Sequence, residues 1–371
     1  MQRVTYLNSG SFGPTPQPVV DAQQAVLLEQ LRMGGSAPPV SQMLGEINEA
    51  CRETVAQAVG AEPEEIALTQ STSDGIGIVA AGIDWRPEDE VITSNLEHVS
   101  GVLPWRQAAF RYGIKVVNLE DKQGYLTVED FAAAITPRTR LICLSHIAWN
   151  SGAVLPVPEV CALAAKRGIM VLVDGAQSAG QIPLNMHELG CHFYSLPGHK
   201  WMMGPVGTGA LYVRRDMIPQ LYASRAGWAS ISGDDQGGAI SFHTGARRYE
   251  AGTIHSPAYA GWRAAIQFVA TQGADEMYAR IKQLAREARA IFRKVPGCEI
   301  LGPDDSALWS GLLPMRISGC DPKTLVERLW KEHNIITRWI PKPYALRISL
   351  HAFVTVEELK RTAEVISRIC C

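Results

Sequence analysis

Two residue types with opposite charge needs stand close together in this chain. Asp174 ends the run Val171-Leu-Val-Asp-Gly-Ala-Gln-Ser178, and Lys200 sits in Phe193-Tyr-Ser-Leu-Pro-Gly-His-Lys-Trp201. The apolar residues Val171 to Val173 read as a strand buried on both faces of a parallel sheet. A carboxylate at the end of such a strand is costly unless a cation or a hydrogen-bond donor meets it. That end of the sheet is also where α/β folds place their ligands. Lys200 arrives from a second apolar segment, flanked by Gly198 and Trp201. A lysine set among apolar residues gives up its proton readily, which Schiff-base chemistry with a carbonyl needs. A structural Asp174–Lys200 ion pair explains the same residues without chemistry, so other positions must decide.

A second candidate is Gln70-Ser-Thr-Ser-Asp-Gly-Ile-Gly77, which follows the strand-like Ile66–Thr69 and opens a helix. Free backbone N–H groups and the helix dipole make such a start an anion site, and Thr72 and Ser73 add hydroxyl donors. The same residues also suit a plain N-cap. Gly75-Ile-Gly77-Ile-Val-Ala80 fits the dinucleotide fingerprint G-x-G-x-x-A. That fingerprint wants its first glycine directly at the strand end, whereas here polar residues intervene and favour a phosphate monoester. No G-x-x-x-x-G-K-[ST] occurs, which excludes P-loop chemistry.

The elements that must position these residues alternate. Strands are expected at Ile66–Thr69, Glu90–Thr93, Lys115–Asn118, Leu141–Leu144, Met170–Val173, Phe193–Ser195 and Thr208–Val213. Helices are expected between most of them, with two more near Pro16–Leu31 and Val40–Val59. This pattern predicts an α/β fold: a mostly parallel central sheet with helices on both faces. After Thr253 the order becomes helix, helix, strand, helix, strand, strand, helix, an α+β C-terminal domain. The expected division is an N-terminal segment 1–14 joining the small domain, a large domain 15–254 and a small domain 255–371. The turn Asn8-Ser-Gly-Ser-Phe-Gly-Pro14 is rich in small residues and suits close backbone approach.

Composition narrows the classes. Hydrophobic content of 46% supports a generous core, and a net charge of −2 gives no reason to expect nucleic acid or an anionic membrane as partner. No apolar run approaches the roughly 20 residues of a spanning helix, and the N-terminus lacks a signal-peptide core, so the expectation is a cytoplasmic protein. The eight cysteines show no C-x-x-C pairing and read as reduced thiols rather than disulfides or metal ligands.

Strand–Asp-x-x-Gln, strand–x-x-His-Lys and an upstream Ser/Thr phosphate loop, in that order, resemble the class V aminotransferase family of pyridoxal-phosphate enzymes. The resemblance covers essentially the whole chain. It implies the fold-type I architecture of PLP-dependent transferases, with pyridoxal 5′-phosphate as cofactor. By that resemblance Lys200 forms the Schiff base and then moves the proton at the substrate Cα. Asp174 meets the pyridinium nitrogen, Gln177 reaches the ring's 3-oxygen, and His98 stacks on the ring. Thr72, Ser73 and His199 bind the phosphate. Thr253, in Tyr249-Glu-Ala-Gly-Thr253, reaches the phosphate of a partner subunit, which implies a homodimer with shared sites. Asn150 lies in a loop over the cofactor. Arg347 takes the substrate carboxylate through a bidentate fork, Arg338 is a second anion contact, and Asn8 and Trp149 border the substrate.

Two departures from the family pattern stand out. Pro197 replaces the Ser or Thr that supplies a phosphate hydroxyl in many relatives. Cysteine desulfurases carry a persulfide-forming cysteine on a mobile loop near the two arginines, but Trp339-Ile-Pro-Lys-Pro-Tyr-Ala-Leu346 contains none. Trp149-Asn-Ser-Gly152, Gly227-Trp228 and the Arg338/Arg347 spacing look most like the cysteine/cystine C–S lyase and isopenicillin-N epimerase-like branch. The expectation is a lyase acting on a small, sulfur-containing amino acid by β-elimination. Transamination, epimerisation, cysteine desulfuration and a non-catalytic binding module remain as alternatives.

Overall fold

The computed structural model describes residues 4–234, 237–238 and 240–370. In chain order the first elements are β1 (Thr5–Tyr6), α1 (Gln17–Met33), α2 (Pro38–Val59), β2 (Ile66–Thr69), α3 (Thr72–Gly82), β3 (Glu90–Ser94), α4 (Val99–Tyr112), β4 (Lys115–Leu119), α5 (Val128–Ala134) and β5 (Thr139–Ser145). There follow α6 (Val157–Ala165), β6 (Met170–Asp174), α7 (Met186–Leu189), β7 (Phe193–Pro197), β8 (Gly209–Val213), β9 (Ile231–Asp234), β10 (Ile240–Phe242) and α8 (Ser256–Ala270). The chain closes with α9 (Ala274–Phe292), β11 (Cys298–Ile300), β12 (Leu312–Ile317), α10 (Pro322–His333), β13 (Ile335–Ile336), β14 (Arg338–Pro341), β15 (Tyr344–Ser349) and α11 (Val356–Cys370).

The central sheet runs β2-β8-β7-β6-β5-β3-β4. All its strands point one way except β8, which is antiparallel to both β2 and β7. Val171, Leu172 and Val173 are fully buried, and they divide between the cores on the two faces of the sheet: Val171 and Val173 join one, Leu172 the other. This is the strand buried on both sides that a continuous apolar run requires. Because the parallel strands end at one edge, the loops after β2, β3, β5, β6 and β7 all emerge together.

The C-terminal layer is an antiparallel sheet, β11-β12-β15-β14. Its core joins Leu313 and Ile348 to Leu284 and Phe292 of α9 and to Leu359 and Ile366 of α11. β1 pairs parallel to β13, Thr5 opposite Ile335, which ties the N-terminal segment to this layer. Residues 1–3 lie outside the described residues. The helix α8 belongs elsewhere: its Tyr259, Trp262 and Ala265 share a core with Leu68, Val173 and Tyr194 of the large sheet. A division after residue 254 cuts through that core, because the apolar face of α8 meets α1 and α2. The separate C-terminal core begins at α9.

The cysteine reading needs correction. Cys320 and Cys370 form a disulfide with a Cα–Cα distance of 5.7 Å. Their separation of 50 residues carries no signature; only the packing of α11 beside α10 brings them together. Cys51, Cys143, Cys161 and Cys191 are buried free thiols, and Cys298 is half-buried and free. Cys371 lies outside the described residues. No helix among the described residues is long and apolar enough to cross a membrane.

Candidate active site

Loops from the common sheet edge, the 10–12 turn and the β14–β15 hairpin close a cavity of about 240 Å3. Among the expected residues, Thr72, Ser73, His98, Trp149, Asp174, Gln177, His199, Lys200, Arg338 and Arg347 line it. Asp174 enters from the end of β6, one strand over from Ser145, its register partner on β5. Its Oδ1 accepts from the Ala176 N–H at 2.8 Å. Lys200 enters from the loop after β7, half-buried, with its amine in the cavity wall. Burial, opposed by Asp174 and reinforced by Arg347 and Arg338, pulls its amine down to about 8. Burial also raises the Asp174 carboxyl above the usual range, against the Ala176 N–H and the Lys200 charge. The two influence each other through space but share no direct ion pair among the described residues. The simple structural pair is therefore not what this site contains.

The start of α3 satisfies both readings of its sequence. Ser71 is the N-cap, its side chain accepting from the Asp74 N–H at 3.2 Å. That frees Thr72 and Ser73 to face the cavity. The Thr72 hydroxyl is buried and has no partner among the described residues, and the same holds for His199 Nδ1. An unpaired buried donor costs free energy, so these atoms mark where an anionic group belongs. Pro197 ends β7 opposite Gly209 and is not in the cavity wall.

His98 caps α4, its Nδ1 accepting from the Ser100 N–H at 3.3 Å. It meets the Trp149 ring edge-on, with centroids 5.2 Å apart. Burial, aided by the Lys200, Arg338 and Arg347 charges, lowers it to about 4. It is a neutral, flat wall at physiological pH. Gln177 donates from Nε2 to the Gly10 carbonyl at 2.9 Å, and its Oε1 accepts from the Trp201 indole at 2.8 Å. One Nε2 hydrogen remains for a ligand.

Arg347 is 1% exposed. It donates to the Trp149 carbonyl at 2.9 Å, and its Nε has no partner among the described residues. Arg338 donates to the Ser11 hydroxyl at 2.9 Å.

Three expected residues sit elsewhere. Asn8 is not in the wall; its Oδ1 accepts from Ser11 at 2.8 Å, and Gly10, Ser11 and Phe12 occupy the cavity side. A Cβ at Gly10 would come within 2.8 Å of Leu312 Cδ2, 2.9 Å of the Ser349 hydroxyl and 3.1 Å of Arg347 Nη2, so a larger residue would displace these side chains. Asn150 lines a neighbouring cleft of about 1080 Å3 that shares Trp149 with the cavity. Thr253 is exposed and does not line its own chain's cavity. Trp228, of the Gly227-Trp228 pair, is 68% exposed and does not line the cavity. Sequence reasoning missed Ser145 and Glu97. Glu97 was visible only as the neighbour of His98, and its role depends on where β5 and β6 end.

Taken together, a half-buried lysine, a buried aspartate, a helix start with an unpaired hydroxyl and two carboxylate-free arginines fit a phosphorylated pyridine cofactor and an amino-acid substrate. That defines the class: an α/β protein whose site sets a lysine amine where Schiff-base chemistry would need it. The family model described as "Aminotransferase class-V" matches residues 5–361, and the chain belongs to that family of enzymes. It is 29% identical to "Isopenicillin N epimerase" of Streptomyces clavuligerus, over 99% of this chain and 95% of the relative. It is 31% identical to a "Probable cysteine desulfurase" of Methanothermobacter thermautotrophicus, over 98% of this chain and 94% of the relative. Among solved structures, the cystine C–S lyase C-DES in complex with its reaction product cysteine persulfide superposes with a TM-score of 0.93 at 29% identity, covering 98% of this chain and 97% of that one. A C-DES mutant with glycine covalently linked to its PLP cofactor superposes equally well.

Proposed function

We propose that this protein is a PLP-dependent lyase that cleaves the C–S bond of cysteine- or cystine-like amino acids by β-elimination. Its cofactor is pyridoxal 5′-phosphate, as for the family. When bound, the cofactor supplies a carbonyl carbon that takes up the substrate amine and an electron-poor ring that stabilises negative charge at Cα. The rest falls to the chain's own side chains. Thr72, Ser73, His199 and the start of α3 hold the phosphate. Asp174 meets the ring nitrogen, Gln177 the 3-oxygen, and neutral His98 covers one ring face. Arg347 and Arg338 hold the substrate carboxylate and so turn the Cα–H toward Lys200. Lys200, whose amine is neutral above about pH 8, removes that proton, and the β-sulfur leaves with the bonding electrons. Enamine hydrolysis then yields pyruvate and ammonia.

The observation that carries lyase over desulfurase is the β14–β15 hairpin. Where a persulfide-forming cysteine would need a mobile loop, Arg338–Pro341 and Tyr344–Ser349 pair directly across Lys342 and Pro343. The cysteine preceding this region, Cys320, is held in a disulfide. Incubation with cystine, cysteine and a panel of other amino acids tests the reading. Pyruvate with sulfide or persulfide, in the absence of an external thiol acceptor, is the expected outcome. Keto acid with pyridoxamine phosphate, or loss of chirality alone, would replace it with transamination or epimerisation. Epimerisation is the second reading, favoured by the full-length similarity to isopenicillin N epimerase.

We further propose a cytoplasmic homodimer with shared sites. Thr253, exposed and outside its own cavity, would complete the phosphate site of the partner. Nothing in the charge balance suggests a nucleic-acid or membrane partner.

A further inference from the structure

A second buried carboxyl lies behind Asp174. Glu97, 6% exposed, follows β3 and carries three donors: Ser94 Oγ–H at 3.0 Å, the Ser145 backbone N–H at 3.0 Å and Ser145 Oγ–H at 2.6 Å. Ser145 is itself the register partner of Asp174. A Cβ at Gly101 would lie 3.5 Å from Asp174 Oδ2 and 3.8 Å from Glu97 Oε2, so both carboxyls border one small volume that a glycine keeps open. A carboxylate accepting three hydrogen bonds is built for the charged form. Two charges buried this close disfavour one another unless a proton or cation joins them.

We propose that Glu97 is a positioning residue that supplies a second buried negative charge behind Asp174, and that this charge holds the proton on the cofactor's ring nitrogen. The inference rests on the reading of Asp174 as the partner of that nitrogen. The ring must remain protonated to withdraw electrons from Cα. Asp174 alone, desolvated by burial and near the Lys200 charge, holds such a proton less firmly than two carboxylates do. The titratable groups facing Glu97 are Asp174 from β6 and the Cys143 thiol from β5; His98 follows it in the chain. Burial, joined by the Asp174 charge, places its own titration at about 7 against the Ser145 and Ser94 hydrogen bonds. The second charge is therefore present above neutral pH and fades below it.

The test uses the protein reconstituted with PLP labelled with 15N at the ring nitrogen, whose chemical shift reports its protonation directly. In Glu97→Gln the midpoint for losing the ring proton is expected to fall by about one pH unit or more, while Glu97→Asp, which keeps the charge, stays near wild type. An unchanged midpoint in Glu97→Gln overturns the proposal. If Glu97→Gln fails to retain cofactor, Ser145→Ala carries the test. Removing that donor weakens the charged form of Glu97, and the midpoint should fall by a smaller amount; no change there also overturns the proposal. If wild type fails to bind PLP, or leaves its nitrogen as in free solution, the cofactor reading itself fails. That outcome is distinct from a wild type that binds and protonates normally beside an unshifted variant.

Discussion

Arg338 and Arg347 stand opposite one another across the β14–β15 hairpin, and no carboxylate among the described residues pairs with either. Both donate to the same hydroxyl, Ser11 Oγ, at 2.9 Å and 3.5 Å. Burial, with Arg338 adding to it, pulls the Arg347 guanidinium down to about 9. Two facing cations with one neutral acceptor between them form a site that an incoming carboxylate stabilises.

Arg347→Ala should therefore reduce kcat/KM for the amino-acid substrate roughly hundred- to thousand-fold, the usual cost of removing one member of a buried charge pair. Arg347→Lys keeps the charge but loses the planar fork, and should recover only part of that loss. Arg338→Ala, at a half-buried position, should act mainly on KM and by a smaller factor. Steady-state kinetics of the three variants decides this. Equal, small effects in all three would mean that the substrate carboxylate binds elsewhere.

Lys200 sets the pH at which the apo-protein can take up its cofactor. The amine attacks a carbonyl only when neutral, and its value of about 8 lies below that of an ordinary lysine. The second-order rate of PLP capture, followed by the visible absorbance that develops, should rise with pH and level off above about 8. A rise continuing to pH 10 or beyond would show that Lys200 titrates as an exposed amine does. Lys200→Ala should develop no such absorbance at any pH.

At the start of α3, neighbouring hydroxyls should separate by role. Thr72→Val removes an unpaired, cavity-facing donor and should weaken PLP binding by about tenfold or more, the range for a hydrogen bond to a charged group. Ser71→Ala removes the cap to Asp74 N; it should lower stability by about 1 kcal/mol with a smaller effect on cofactor affinity. Equilibrium dialysis and urea unfolding on the same variants compare the two.

Acid should unfold this protein through buried histidines. Burial alone lowers His146 to about 4, and it does the same to His351 against a hydrogen bond to the Trp201 carbonyl. Between the unfolded value of about 6.5 and the folded value near 4, the unfolded chain binds more protons. Stability must then fall as pH drops through that window, by roughly 3 kcal/mol for each such residue. Urea unfolding at pH 7.5 and pH 4.5 measures the fall. His351→Gln, which can still donate to the carbonyl, should lessen the fall even if it lowers stability at pH 7.5. A fall of wild-type size in that variant would assign acid sensitivity to other groups.

Much of the fold was legible because it rests on local periodicity. The apolar runs at Ile66, Val91, Leu141 and Val171 had to be strands buried on both faces, and the helices between them made the sheet mostly parallel. The boundary near residue 254 was less legible. The apolar face of α8 reads equally well as the opening of a small domain or as the cover of a large one. Only its contacts with α1 and α2 separate the two. Asn8 shows the same limit at the scale of a turn: the sequence marked the loop, but backbone direction put Ser11 and Phe12 in the cavity and turned Asn8 to support them.

By itself, the sequence determined that Asp174, Lys200 and the Ser71–Ser73 helix start would meet, because parallel strands deliver their C-terminal ends to one edge. It also determined that no thiol lies between Arg338 and Arg347. Tertiary structure alone decided that Asp174 and Lys200 face the cavity without pairing, and that the two arginines share one hydroxyl. It alone brought Cys320 to Cys370 and placed Glu97 behind the aspartate. Each of these depends on contacts between segments far apart in the chain. Distance in space, burial and the directions of side chains settle such contacts, and residue order carries none of them.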